Sequence, residues 1–263
     1  MKIATYNVNS VNARMENLER WLKSSMPDVV LLQEIKCEFN NFPLFELQSL
    51  GYNCAVLGQK SYNGTAILSK KKITVTQENL PDFIDNQARY LEALTTIDNQ
   101  TIRVASVYVP NGNPPYNNAK DESKFIYKLQ WMDAFLNHVK KLATGDEKVI
   151  IGGDFNVIMS ESDVYDVKPF INNALFRREV QEKLKQLSFV GFYDAFRELH
   201  PDVPGYTFWD YIGGAFSADR GMRIDYMFLS APAADALKSC EVNKTPRGED
   251  KPSDHTPLEI NLL

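Results

Sequence analysis

The feature that most constrains this chain is the alternation of short apolar runs with amphipathic, helix-like stretches along its whole length. Strands separated by helices bury their faces most readily in an α/β architecture. Residues 2–9 read as a strand. Residues 11–24 read as a helix, with Val11, Met15, Leu18 and Leu22 recurring at helical spacing. Residues 28–34 have a continuous apolar centre, which predicts burial of both faces of that strand. Residues 52–57 and 65–69 are strands around a turn at Gly64. Residues 90–97 and 102–109 form a hairpin through Asp98-Asn99-Gln100. The longest helix runs from about 121 to 142, with Phe125, Leu129, Met132, Leu136 and Val139 as its buried stripe. Residues 149–152 are a short buried strand, 175–187 a second helix, and 223–229 and 257–262 late strands. With no Pro/Gly/Ser-rich linker, repeat or low-complexity block, residues 1–263 read as a single domain. Residues 111–119 are polar and rich in Pro, Gly and Asn. They predict a long surface loop, and loops of that length commonly carry function.

Composition narrows the function classes. Apolar residues make up 44%, enough for a large core, and no run approaches the roughly 20 apolar residues of a membrane span. Three cysteines, Cys37, Cys54 and Cys240, lack CxxC spacing, which argues against a disulfide framework or a structural zinc. The expectation is a cytoplasmic protein without a membrane association. Net charge is −5, from 29 basic and 34 acidic residues. Bulk charge therefore speaks against a nucleic-acid binder, although clustered acidic metal ligands produce the same count.

Several strands end in acids or amides. The first ends Tyr6-Asn7-Val8-Asn9, the second Leu32-Gln33-Glu34, the hairpin Tyr108-Val109-Pro110-Asn111, and the strand at Val149 Gly153-Asp154-Phe155-Asn156. A late strand carries Arg223-Ile224-Asp225-Tyr226, and Ser253-Asp254-His255 precedes the last one. In α/β folds ligands bind beyond the carboxyl ends of strands. If these ends meet, Glu34, Asp154, Asp225 and Asp254 share one crevice and repel one another. A hard cation, Mg²⁺ or Mn²⁺ rather than zinc, relieves that repulsion. Taken singly, each residue has an ordinary reading. Glu34 fits a solvated strand terminus, Asp154 and Asn156 a turn, Asp254 a helix cap and Tyr108 strand packing. Their joint occurrence carries the functional reading. His138 and His200 have no such neighbours in sequence and read as surface residues.

These strings, together with Gln33-Glu34-Ile35-Lys36, Tyr206-Thr207-Phe208-Trp209 and Gly221-Met222-Arg223-Ile224-Asp225, occur in the order of the motifs of the exonuclease III family of abasic-site endonucleases. The chain resembles that family from its first strand to its last. The resemblance implies an α/β four-layer sandwich of the deoxyribonuclease I type, with two mixed β-sheets packed face to face and flanked by helices. It implies a monomeric, metal-dependent phosphodiesterase of base excision repair, acting on double-stranded DNA with abasic or 3′-blocked sites. Glu34 would be a metal ligand, with Asn9 and Asp254 joining it directly or through water. Asp154 would deprotonate the attacking water. His255, oriented by Asp225, would donate to the phosphate, with Asn7, Asn111, Asn156 and Tyr108 positioning phosphate and water. Phe208, Trp209, Met222 and Ile224 would shape a pocket for a bare sugar, and Lys36, Tyr62 and Arg89 would face the DNA backbone. Three residues depart from the family pattern: Tyr6 for Trp or Phe, Ser10 for Gly, and Met222 for Trp in some members. Two other readings stay open, a phosphoinositide or phospholipid head-group hydrolase and a catalytically dead binding relative.

Overall fold

The computed structural model describes residues 1–114 and 119–263. Its strands form two six-stranded sheets. The first has the order β11-β12-β1-β2-β4-β3. It is built from β1 (Lys2–Asn7), β2 (Val29–Gln33), β3 (Asn53–Leu57), β4 (Thr65–Ser69), β11 (Leu237–Val242) and β12 (Leu258–Leu262). The second has the order β5-β6-β7-β8-β10-β9. Its strands are β5 (Ile73–Glu78), β6 (Tyr90–Ile97), β7 (Gln100–Tyr108), β8 (Lys148–Asp154), β9 (Phe192–Asp194) and β10 (Asp225–Ser230). Each sheet is mixed. β1 runs parallel to β2 and β7 parallel to β8, and the remaining pairings are antiparallel.

Period-two alternation explains the layering. In β2, Val29 and Leu31 point between the sheets, where they meet Ile3, Ile67, Val104, Ile150 and Met227. Val30 and Leu32 point the other way, with Ala4 and Tyr6, onto Leu18, Trp21 and Leu22 of α1 (Met15–Ser25). β2 is thus buried on both faces, as its unbroken apolar run predicts. On the second sheet, Ala105, Val107, Val149 and Ile151 face Trp131, Phe135 and Val139 of α3 (Ser123–Leu142) and Leu184 and Leu187 of α4 (Arg178–Phe189). Short helices α2 (Leu44–Ser49), α5 (Ala195–Leu199) and α6 (Ala231–Ala234) fill the periphery. The result is the expected four-layer sandwich.

Several expected boundaries shift for local reasons. The first strand stops at Asn7 rather than residue 9, because Asn9 and Ser10 take left-handed backbone angles (φ 44° and 84°). The first helix consequently begins at Met15, not residue 11. The hairpin turn is the two residues Asp98 and Asn99, both at positive φ, since Gln100 already pairs with Ile97. The strand expected at 149–152 extends to Asp154, paired on one side with Tyr108 and on the other with Asp225. The second helix starts at Arg178, because the Asn173 side chain first turns the chain through Leu175 N. Of the expected loop 111–119, residues 115–118 lie outside the described residues, and 111–114 have no regular structure.

The topology gathers the polar strand ends at one edge of the sandwich. β1, β2, β7 and β8 contribute their carboxyl ends. β10 and β12 run antiparallel to β8 and β1, so they contribute their amino ends. At that edge the space between the sheets turns polar. Gln33 Nε2 donates to Ser106 Oγ at 2.9 Å, and Ser106 Oγ donates to the Leu32 carbonyl at 2.8 Å.

Candidate active site

Asn7 joins the two sheets at this edge. Its Nδ2 donates to Glu34 Oε1 and to Asp154 Oδ2, both at 2.9 Å. Glu34 follows β2 with φ 50°, and Tyr108, at the end of β7, donates its hydroxyl to Glu34 Oε1 at 2.9 Å. Asp154 closes β8 just after Gly153, where a Cβ would stand 1.9 Å from the Val107 carbonyl oxygen. Only glycine permits that approach. The other Asp154 oxygen accepts from Asn156 N at 2.9 Å. Asn156, itself at φ 49°, accepts on Oδ1 from Asn111 Nδ2 at 3.1 Å.

His255 lies fully inside this cluster. Its Nδ1 is 2.8 Å from Asp225 Oδ2, and its Nε2 is 3.6 Å from Asp154 Oδ2. The ring packs edge-on to Phe208, with centroids 5.0 Å apart. Burial opposes charging the ring, but the carboxylates of Asp225 and Asp154 outweigh it and raise the His255 pKa. Burial also raises the Asp154 pKa, with the charges of Asp225 and Glu34 adding to the effect. The proton belongs on the imidazole, which two carboxylates flank. Glu34 moves the other way. Burial would raise its pKa, yet Lys36 and the Asn7 hydrogen bond lower it. Burial and the Glu34 charge push the Tyr108 phenol well up, so it remains a donor.

The donor set fits a hard divalent cation. Ligand atoms of Glu34, Asp154 and His255 lie within 4.8 Å of one another. A protonated His255 has no lone pair to give, so the oxygens of Glu34 and Asp154 are the better ligands of that group. On its other oxygen Glu34 meets the Lys36 ammonium, 2.7 Å from Oε2, and that ammonium is also 2.6 Å from Asn9 Oδ1. Asn9 Nδ2 in turn donates to Asp254 Oδ1 at 3.0 Å. Glu34, Asn9 and Asp254 are therefore adjacent, as the sequence suggested.

A cavity of about 690 Å³ opens over the cluster. Glu34, Asp154, Asn156, Asp254 and His255 line one side, and Phe208, Met222, Ile224, Leu175 and Phe170 the other. Trp209 is not among the lining residues. Its indole is fully buried and donates to Asp219 Oδ1 at 3.1 Å, so it supports the pocket instead of shaping it. Tyr62 and Arg89 line a neighbouring cavity of about 360 Å³ that shares Asn111 and Asn113 with the first. Arg89 also lies over the Tyr108 ring, 4.8 Å from its centroid. Lys36 sits within the acidic cluster instead of on a separate backbone-facing surface.

The two other histidines are not free surface groups. His138 Nε2 is 2.8 Å from Glu92 Oε2, and His200 Nε2 is 2.8 Å from the Cys240 carbonyl. One residue that sequence reasoning missed is Lys128. It is fully buried on α3, and its Nζ donates to the carbonyls of Asn111 (3.0 Å), Asn156 (2.6 Å) and Ala174 (3.2 Å). Burial pushes its ammonium down to about 7, against the pull of Asp154. The signal was available: a lysine three residues after Phe125 and four before Met132 stands in the apolar stripe.

Comparison with known proteins agrees with this geometry. The model of the Endonuclease/Exonuclease/phosphatase family matches residues 4–255. An exodeoxyribonuclease of Bacillus subtilis (strain 168) is 31% identical, over 99% of this chain and 98% of the relative. The 3′ phosphatase NExo from Neisseria, solved with a product DNA hairpin, superposes with a TM-score of 0.93 at 34% identity, covering 100% of this chain and 99% of that one. An AP endonuclease from Archaeoglobus fulgidus gives 0.91 at 31% identity, with the same coverage.

Proposed function

The chain belongs to the endonuclease/exonuclease/phosphatase family, in its exodeoxyribonuclease III branch, and from that premise we propose that it is a DNA repair hydrolase with one catalytic unit spanning residues 1–263. It cleaves the backbone 5′ to abasic sites to leave a 3′-hydroxyl, and it also acts as a 3′–5′ exonuclease and a 3′-phosphatase or phosphodiesterase. The named relatives support this reading, as exodeoxyribonucleases, a 3′ phosphatase and an AP endonuclease. The observation that carries it is the cavity itself, with carboxylates, Asn156 and His255 on one face and Phe208, Met222, Ile224, Leu175 and Phe170 on the other.

Glu34, with Asp154 or with Asn9 and Asp254, would hold Mg²⁺ or Mn²⁺. When bound, such an ion supplies Lewis-acid stabilisation of charge on the phosphate and leaving oxygen. Asp154 accepts the proton of the attacking water. Its other contacts, from Asn7 and Asn156, fix its plane. His255 donates from Nε2 to a non-bridging phosphate oxygen, while Asp225 on Nδ1 sets the ring angle and keeps it charged. Asn111 and Asn156 supply neutral donors beside the phosphate. Asn7 and the Tyr108 hydroxyl spend their hydrogens on Glu34 and Asp154, and so hold those carboxylates in place instead of contacting the phosphate as the sequence suggested. Phe208, Met222 and Ile224 offer no partner for a base edge. The pocket accepts a sugar that lacks one, whose extrusion costs least. Tyr62 and Arg89, which line the adjoining cavity, would face the flanking backbone, while Lys36 stays paired with Glu34. We read the enzyme as a cytoplasmic monomer, a setting in which its three free thiols, two of them buried, stay reduced.

The test of the chemistry is release of a 3′-phosphate from a duplex primer end. Activity should vanish in EDTA and return with Mg²⁺, and Glu34→Ala should raise the Mg²⁺ requirement. Full activity in exhaustively chelated buffer would refute the cation assignment.

A further inference from the structure

Lys128 lies beneath the site, where three chain segments meet. The first carries Asn111, the second Asn156 and the third Ala174, and each gives one main-chain carbonyl to the same ammonium. Two of these carbonyls belong to residues whose side-chain amides are hydrogen-bonded to each other at the cavity wall. The third belongs to the residue before Leu175, on the apolar wall. Asn113 adds a cross-tie, with its Oδ1 accepting from Ala174 N at 3.0 Å. The first segment also lies flat on the lysine stem. A Cβ at Gly112, which takes φ +83°, would come within 2.7 Å of Lys128 Cδ.

A buried ammonium is expensive unless its hydrogens are matched. Here three carbonyls match three N–H bonds, and all three partners come from the main chain. Hydrophobic packing alone would bury this position on α3 at no such cost. The arrangement therefore fixes where the three segments stand relative to one another.

On the reading of the site as a phosphodiesterase, we propose that Lys128 is a positioning residue. By clamping the three carbonyls it aims the Asn111 and Asn156 amides at the phosphate and holds the phosphate end of the cavity at a set distance from its apolar wall. It does not touch substrate. Losing it leaves the catalytic groups in place and misaims the amides, so turnover suffers more than binding.

The test is a kinetic cycle at saturating Mg²⁺ on a duplex with a single abasic analogue. Lys128→Met keeps most of the stem and removes the three donors. At a temperature where the variant remains folded, kcat should fall at least about tenfold while KM changes less than about threefold. In a background already lacking both amides, Asn111→Ala with Asn156→Ala, the same substitution should cost under about twofold, because there is nothing left to aim. Where Lys128→Met does not fold, Lys128→Gln enters the same cycle. Unchanged kcat in the folded variant, or an undiminished loss in the amide-free background, overturns the positioning role. A wild-type protein inert on both abasic and 3′-phosphate substrates would instead overturn the functional reading and take this inference with it.

Discussion

His255 sits between two acids with unequal jobs. Asp225 holds Nδ1 at 2.8 Å, while Asp154 stands 3.6 Å from Nε2, which leaves that nitrogen aimed at the cavity. Asp225 therefore acts chiefly through His255, and the two effects on rate should overlap. His255→Ala should lower turnover by about 10²-fold or more, and Asp225→Ala should act in the same direction. Steady-state rates of the double variant should resemble those of the worse single one, and a loss equal to the product of both would rule out the pairing. Ser10 supplies a second prediction. It occupies φ 84°, where a side chain is strained and glycine is not. Ser10→Gly should raise stability by up to about 1 kcal/mol, read from denaturant midpoints, and a clear loss would show that its hydroxyl contact to Ala13 N matters more. Most of the acid and amide cluster was legible from sequence, since each member sits at a strand end that topology brings together. Trp209 was misread because the sequence fixes its neighbours along the chain but not which way its indole turns. Lys128 escaped because a lysine on a helix is ordinarily a solvated one.

At the level of elements, one buried network ties β6, β7 and α3. Glu92 accepts from Arg103 NH1 at 2.6 Å and from the Tyr90 hydroxyl at 2.7 Å, and lies 2.8 Å from His138 Nε2. Burial alone would raise the Glu92 pKa, but its hydrogen bonds lower it from 4.5 to about 2. The fold prefers the charged form, so the stabilisation is complete above the ordinary carboxylate pKa. It is lost as pH falls from about 4.5 toward 2, where unfolded chains take up the proton first. Up to about 3 kcal/mol is at stake. Melting temperatures across this range should fall less steeply for Glu92→Gln than for wild type, and parallel curves would contradict the assignment. Strong apolar runs such as β2, β4 and β6 were legible because both faces, or one whole face, are buried. β5 was missed as a largely exposed edge strand with little apolar pattern. β11 was missed because its register shifts between Leu237 and Ser239, which breaks the period of two.

Across the whole molecule, net charge proves a poor guide to substrate. The acids that make the chain −5 include the cluster at the cavity, while Lys36 and Arg89 stand beside it and Lys124 lines the adjoining cavity. Phosphate contacts should dominate affinity, so DNA binding should weaken steeply with added salt in a titration by anisotropy, and salt-independent binding would argue for another ligand. Specificity should come from the apolar half of the cavity. Phe208→Ala should therefore erode preference for abasic DNA more than it erodes release of a 3′-phosphate. The most direct measurement is cleavage, with Mg²⁺, of a labelled duplex carrying one abasic analogue beside the same duplex intact. The account predicts rapid incision 5′ to the abasic site with a 3′-hydroxyl product, and far slower cutting of the intact strand. Equal cleavage of both duplexes would contradict it.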